Sequence, residues 1–277
     1  MKKTINTLIA LAATGGIASA ATVFEMTFSE TTNGAVGDAY GFLDSSGNDN
    51  HGWLGNVGSG SYAIVSNGTG GHALSNSASS SGYIFLRDNW SRPQWTGSTP
   101  TPYFTLDGNA DFTLEMIVNW NNLGTTRNGL FNGNGDDGLF WVRENGGNLQ
   151  YVFGVENTND VREFGSTVDV SAEKADGKYH ALAFAYDSTN GELRTYVDGV
   201  LKQTNTDTSI GTLGNLYDGL NDFRLGRDSS ANFEGLVDHA RISDTALTAG
   251  ELLAVPEPSS AALLGLGGLA LILRRRK

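Results

Sequence analysis

Cysteine is absent from the 277-residue chain. No disulfide, thiol nucleophile or thiolate metal site is therefore available, and an exported domain of this sequence is held by packing, hydrogen bonds or a metal. Charge is sparse as well, with Asp, Glu, Lys and Arg making up 17% of the residues. No long amphipathic helical pattern occurs. The chain also lacks an H-E-x-x-H pair and a G-x-S-x-G elbow, which removes zinc-protease and α/β-hydrolase chemistry. Gly, Asn, Ser and Thr are abundant instead, and short apolar alternations recur between turn signals at the intervals of an all-β sandwich.

Both ends read as addresses rather than fold. Met1-Lys2-Lys3 is a positive start, Leu8 to Ala13 lies in an uncharged apolar stretch, and Ala18-Ser19-Ala20 is an A-x-A cleavage site. Residues 1–20 are thus expected to be a signal peptide cut after Ala20. At the other end Val255-Pro256-Glu257-Pro258-Ser259 precedes thirteen uncharged residues, Ala261 to Leu273, and then Arg274-Arg275-Arg276-Lys277. A helix of about fifteen residues spans roughly 22 Å, short of a hydrocarbon core of roughly 30 Å, so a transient membrane anchor fits better than a permanent one. The basic cluster belongs on the cytoplasmic side and the domain outside.

Residues 255–277 resemble the PEP-CTERM sorting tail, in which a Pro-Glu-Pro box, an apolar helix and an arginine cluster follow in that order. The resemblance implies recognition and cleavage by an exosortase-type membrane protease. It also implies export to the envelope or outer surface of a Gram-negative bacterium, with release after cleavage. Stripping Lys2 and Lys3 from one end, and four terminal cations against Glu257 from the other, takes the net charge from −12 to −17. A domain that acidic does not suit nucleic acid or an anionic lipid surface, and it favours solubility or cation binding.

Between the ends, residues 21–254 are expected to form one domain. Phe112, Leu114, Met116, Val118 and Trp120 alternate with mostly polar positions, which predicts a strand with one buried face. His180, Leu182, Phe184 and Tyr186 alternate with Ala181, Ala183 and Ala185, which predicts a central strand packed on both sides. Asp198-Gly199 between two alternating runs is a type I′ hairpin signature. Thr248-Ala249-Gly250-Glu251 fits a capping box and one short helical turn. Residues 87–103 interrupt this rhythm and read as a long excursion.

Three segments resemble the laminin G-like, concanavalin A-like jelly roll: DFTLEMIVNW at 111–120, GKYHALAFAYDSTNGELRTYVDGVLKQT at 177–204 and FRLGRDSSANFEGLVDHARISDTALTAGEL at 223–252, preceded by DSSGNDNHGWL at 44–54. The resemblance implies two antiparallel sheets stacked face to face, with the first and last strands adjacent. Related jelly-roll glucanases carry E-x-D-x-x-E carboxylates on one strand, and no such string occurs here. Glu115, the one carboxylate of its strand, is expected to face solvent or be hydrogen-bonded. His51, His72, His180 and His239 are scattered, none at metal-ligand spacing; His180 is expected to be a satisfied structural residue.

The candidate ligand-binding residues are Trp90, Arg92 and Trp95, with Arg87 and Tyr103 beside them. Planar groups among polar residues either stack on sugar rings or pack the excursion onto the sandwich. Asp136-Asp137 in a Gly-rich turn reads either as a calcium site or as ordinary turn chemistry. Regular alternation puts Asp238 on one face with Leu236, Ala240 and Ile242, where a lone carboxylate needs a cation or several donors. With the loop at 44–52 brought alongside by the jelly-roll resemblance, Asp44, Asn48, Asn50 and Asp238 form a candidate structural Ca2+ site. The other reading is an Asx turn whose amides also hold Asp238. The expected function is a non-catalytic surface interaction module for polysaccharide or another envelope component. The alternative is a glycoside-active enzyme with an unrecognised carboxylate pair.

Overall fold

β-Branched and aromatic runs between Gly, Asn and Asp turns build seventeen strands among the described residues. In chain order they are β1 (Thr22–Met26), β2 (Gly34–Val36), β3 (Gly41–Phe42), β4 (Gly52–Gly55), β5 (Tyr62–Ser66), β6 (His72–Asn76), β7 (Tyr83–Leu86), β8 (Phe112–Asn119), β9 (Arg127–Gly133), β10 (Phe140–Asn145), β11 (Asn148–Asn157), β12 (Asp160–Asp169), β13 (His180–Asp187), β14 (Glu192–Val197), β15 (Val200–Thr206), β16 (Phe223–Leu225) and β17 (Gly235–Ser243), with a helix α1 (Ser171–Ala175). The computed structural model describes residues 21–28, 34–36, 41–48, 52–55, 62–76, 83–86, 110–120, 127–133, 140–157, 160–206, 223–226 and 233–254. The signal segment 1–20, the excursion 87–103 and the tail 255–277 lie outside them.

The strands form two antiparallel sheets. Sheet 1 runs β15-β14-β13-β8-β17-β6-β5-β2, with β1 added against β17; sheet 2 runs β12-β11-β10-β9-β16-β7-β4-β3. One buried cluster joins them, with Phe24, Leu114, Met116 and Phe184 from sheet 1 meeting Leu54, Phe131, Val142 and Leu225 from sheet 2. Packing two inner faces this way is the sandwich solution expected from the alternating patterns. The first and last strands are adjacent, with Phe24 opposite Ile242 and Glu25 opposite Arg241.

The hairpin at Asp198-Gly199 has positive φ at both residues, 53° and 72°, as a type I′ turn requires. β13 is central, between β8 and β14. β8 departs from expectation: besides its inward face, Thr113, Glu115 and Ile117 on the outward face are 0–1% exposed. The cover is the chain's own last described segment, 244–253. The Thr113 hydroxyl donates to the Thr245 carbonyl (2.6 Å) and accepts from the Leu247 amide (2.9 Å). Glu115 accepts from the Leu253 amide at 2.7 Å and from the Arg241 Nε, while Arg241 Nη2 donates to the Glu251 carbonyl at 2.8 Å. Leu252 packs on Ala183, Ala185 and Tyr196. Glu251 reaches back to the Thr248 amide (2.9 Å) and hydroxyl (2.7 Å), and its own amide donates to the Thr248 carbonyl at 2.9 Å, so the expected capping box closes one short turn.

The alternation of β17 is broken. Its pairing with β8 slips between Val237 and His239, leaving Asp238 as the extra residue of a β-bulge. Val237, rather than Leu236, joins Ala240 and Ile242 in the core. Here too β17 changes neighbour on its other edge, from β6 at 235–237 to β1 at 240–243. Gly235 opens the strand at φ +141°, where an added Cβ would stand 2.3 Å from the Asn119 carbonyl oxygen.

Candidate binding face

In sheet 2 the inward row is apolar: Leu54, Ile84, Leu225, Phe131 and Val142 are 0–3% exposed and lie opposite one another across β4, β7, β16, β9 and β10. One residue along each strand, the pairs Trp53–Phe85, Phe85–Arg224, Arg224–Asn132 and Asn132–Trp141 make the next row. By the alternation of a strand Arg224 and Asn132 of this row are on the outward face, where Arg224 is half-buried and Asn132 is 2% exposed, and the four strand intervals of the row span about 19 Å. On the same face Arg143 Nε donates to Gln150 Oε1 at 2.9 Å, and the Asn145 amide donates to that oxygen at 3.3 Å. A further residue along, Gly52, Leu86, Phe223, Gly133 and Phe140 are level with one another. The chain leaves the sheet at that end for 87–109 and 134–139 and re-enters it there from 49–51 and 207–222. Those segments hold Trp90, Arg92, Trp95, Asp136, Asp137 and Asn50, all outside the described residues.

Sequence reasoning missed the row itself. Its trace was there in Trp53 beside Leu54, Arg224 beside Leu225, and Trp141 and Arg143 flanking Val142. The partners across the sheet come from strands up to about 170 residues apart in sequence, so no local pattern could assemble them. The interior offers no chamber for a sugar among the described residues. A cavity of about 20 Å³ lined by Tyr62, Leu74, Met116 and Phe233 holds little more than one water.

The candidate calcium residues divide into two groups. Asp44 Oδ1 accepts from the amides of Glu25 and Ser46, both at 2.9 Å, and Oδ2 accepts from the Ser46 hydroxyl at 2.7 Å. Asn48 donates to the Thr22 carbonyl (2.7 Å) and the Ser46 hydroxyl (3.0 Å). Asp44 and Asn48 therefore share a turn fastened to β1. Asp238 instead accepts from the Asn67 side-chain amide in the β5–β6 loop. Asn67 Oδ1 in turn accepts from the amides of Thr69 and Gly71, both at 2.9 Å. The expected contact of Asp238 with apolar core neighbours fails because the bulge rotates it to the other side. Among the described residues no three His, Asp or Glu side chains are gathered to hold a metal.

Burial pushes the Asp238 carboxyl up, offset in part by the Asn67 hydrogen bond and the nearby His239. Tyr179 beside it is pushed up to about 12 by burial and by the Asp238 charge. A carboxyl with a raised folded value stabilises the fold while protonated and loses that contribution as pH rises through the folded value. Asp238→Asn is therefore expected to raise the melting temperature at neutral pH, with the gain vanishing below about pH 4. Melts across pH in chelator check this, and a wild type more stable than the variant at pH 7 would contradict it. Repeating the melts in millimolar calcium reads the cation separately, because an ion on Asp238 reverses the order.

His180 sits between two acids, Nδ1 2.8 Å from Asp198 Oδ2 and Nε2 3.0 Å from Asp176 Oδ1, and its ring tilts over Trp120 at 6.2 Å. Burial alone would lower its pKa; Asp176 and Asp198 outweigh it and hold the ring above its ordinary value. The clamp is complete below the ordinary histidine range and weakens as pH rises through the raised value. Its two nitrogens are engaged structurally, as is Glu115 beneath Arg241.

Comparison with known proteins agrees with this geometry. A family model described as the concanavalin A-like lectin/glucanases superfamily matches residues 93–253, and the PEP-CTERM protein-sorting motif matches 254–277. No curated protein matches the chain. Among solved structures, the receptor binding domain of botulinum neurotoxin D is similar with a TM-score of 0.56 at 12% identity, over 83% of this chain and 51% of that one. The binding domain of Paraclostridial Mosquitocidal Protein 1 gives 0.54 at 15% identity, over 83% and 50%. The chain thus spans about half the length of these toxin domains. Domain 4 of AbnA, a GH43 extracellular arabinanase from Geobacillus stearothermophilus solved with arabinotriose, gives 0.50 at 20% identity, over 84% and 96%.

Proposed function

The chain belongs to the concanavalin A-like lectin/glucanases superfamily and ends in a protein-sorting motif, and from this premise we propose a non-catalytic binding module of the cell envelope or outer surface that takes an extended polysaccharide on the outward face of sheet 2. The observation that supports the reading is the register of sheet 2, which sets Trp53, Phe85, Arg224, Asn132 and Trp141 level with one another on neighbouring strands, one residue from the sheet end at which residues 87–103 follow β7. Aromatic faces offer apolar area to sugar rings, while planar amide and guanidinium groups bind hydroxyls. The similarity to a domain solved with arabinotriose supports a sugar as ligand. Trp90, Arg92 and Trp95 are proposed to border the same face.

Export fits the start of the fold. The Ala21 amide lies 3.1 Å from Asp244 Oδ1, and the Asp244 amide donates to the Ala21 carbonyl at 3.1 Å. Cleavage after Ala20 places the new ammonium beside that carboxylate.

Glycan retention by the mature chain tests the proposal. Trp53→Ala and Trp141→Ala are each expected to weaken retention about tenfold, or about 1.4 kcal/mol, with the melting temperature nearly unchanged. Val142→Ala, one step inward, is expected to do the reverse. Retention indifferent to Trp53, Trp141 and Arg224 would move the site elsewhere, and turnover abolished by a single Asp or Glu substitution would make the protein an enzyme.

A further inference from the structure

The chain does not leave the domain at an end of the sandwich. Thr113 and Glu115 hold residues 245–253 against β8, and Leu252 reaches Ala183, Ala185 and Tyr196 on β13 and β14. In the order β15-β14-β13-β8-β17-β6-β5-β2 those strands stand in the interior of sheet 1. The last fastened residue, Leu253, thus lies well within the outward face of sheet 1. The sorting motif begins at the next residue, and only eight residue steps separate Leu253 from Ala261, where the apolar run starts. Fully extended, eight steps reach about 26–29 Å.

That reach limits how the domain can stand. To turn the outward face of sheet 2 toward a bilayer, the tether would have to pass three strands to the β15 rim, about 14 Å. It would then have to cross the roughly 10 Å between sheets and a side-chain layer on each outer face, in all about 30–35 Å. The tether is too short for that path. It is ample when sheet 1 faces the bilayer. Two of the three exposed large apolar side chains among the described residues, Val200 and Leu201, lie on β15 at the rim of sheet 1, and Leu201 is opposite the outward-facing Tyr196.

We propose that, while the C-terminal apolar run is in the membrane, the outward face of sheet 1 is held toward the lipid surface and the outward face of sheet 2 is turned away. This rests on the reading of 255–277 as a membrane-inserted sorting tail. The clasp on Thr113, Glu115 and Arg241 sets the attitude of the domain on the cell before processing, and it keeps the proposed ligand face away from the lipid.

The test uses the signal-processed chain with its tail intact, reconstituted in phosphatidylcholine vesicles carrying a lipid-attached quencher. The chain has no cysteine, so single reporters are clean. Thr204→Cys and Thr206→Cys label the outward face of sheet 1 opposite Arg194 and Glu192, and Thr167→Cys labels that of sheet 2 opposite Gln150. All three positions are exposed. Labels at 204 and 206 are expected to be quenched severalfold more than the label at 167 in protein that floats with the vesicles. Equal or reversed quenching in floated protein overturns the orientation while leaving the tail reading intact. Failure to float overturns the tail reading and the proposal with it.

Discussion

Lys174→Met is expected to cost about 3–5 kcal/mol, because it strands a carboxylate with no access to water. Glu144 on β10 is fully buried, and Lys174 on α1 reaches both of its oxygens, at 3.0 and 2.9 Å. Glu144 Oε1 also accepts from the Gly147 amide at 2.6 Å, so one side chain ties the β10–β11 turn to the helix. For a domain of this size the loss corresponds to about 6–20 °C in melting temperature. Adding Glu144→Gln to Lys174→Met should restore most of it, since the amide oxygen still serves Gly147 and no charge remains buried. Thermal and urea melts of the single and double variants decide it. A single variant within about 0.5 kcal/mol of wild type would show that Glu144 is reached by water.

Arg241→Met is expected to be comparably damaging, about 3–5 kcal/mol, and to leave a local signature as well. Glu115 is 1% exposed beneath Arg241. Removing the guanidinium leaves that carboxylate with the Leu253 amide and also cuts the link to the Glu251 carbonyl. Limited proteolysis should then cut within 244–253 before the rest of the domain. Glu115→Gln in the same chain should recover much of the stability, because its oxygen still accepts from Leu253. Arg143→Met, on the more open face of sheet 2, serves as control and should change stability little. Equal protease resistance of 244–253 in wild type and Arg241→Met would show that the clasp does not depend on this pair.

The contrast between these two carboxylates shows what a sequence discloses. The inward face of β8 was legible because Phe112, Leu114, Met116 and Val118 repeat every second residue, and the period needs no knowledge of the partner. The burial of Glu115 was not, because its cover comes from residues 244–253, more than a hundred positions away. Glu144 gave no sign either: its counter-charge sits on a helix of five residues, too short to show a period. The Asp198-Gly199 turn was legible because its chemistry is local. At Asp238 local reasoning misled, since one extra residue in β17 reverses the side of every position before it, and the pairing slip that causes it exists only across strands. The segment with Trp90 and Trp95 was visible only as a break in rhythm, and it lies outside the described residues. That it leaves from the end of sheet 2 beside Trp53 and Trp141 emerged only from the register of five strands.

The late position of β16 and β17 in the chain sets the order in which this domain can close. β17 lies between β8 on one edge and β6 and β1 on the other, and β16 lies between β9 and β7. Each sheet therefore receives an inner strand from residues 223–243. A chain supplied from its N-terminus delivers β1 to β15 before either keystone arrives, and until then β7 and β9, or β6 and β8, have no common neighbour to join them. Pairings of such long sequence separation form slowly. Both sheets are therefore closed by the last strands that the chain supplies.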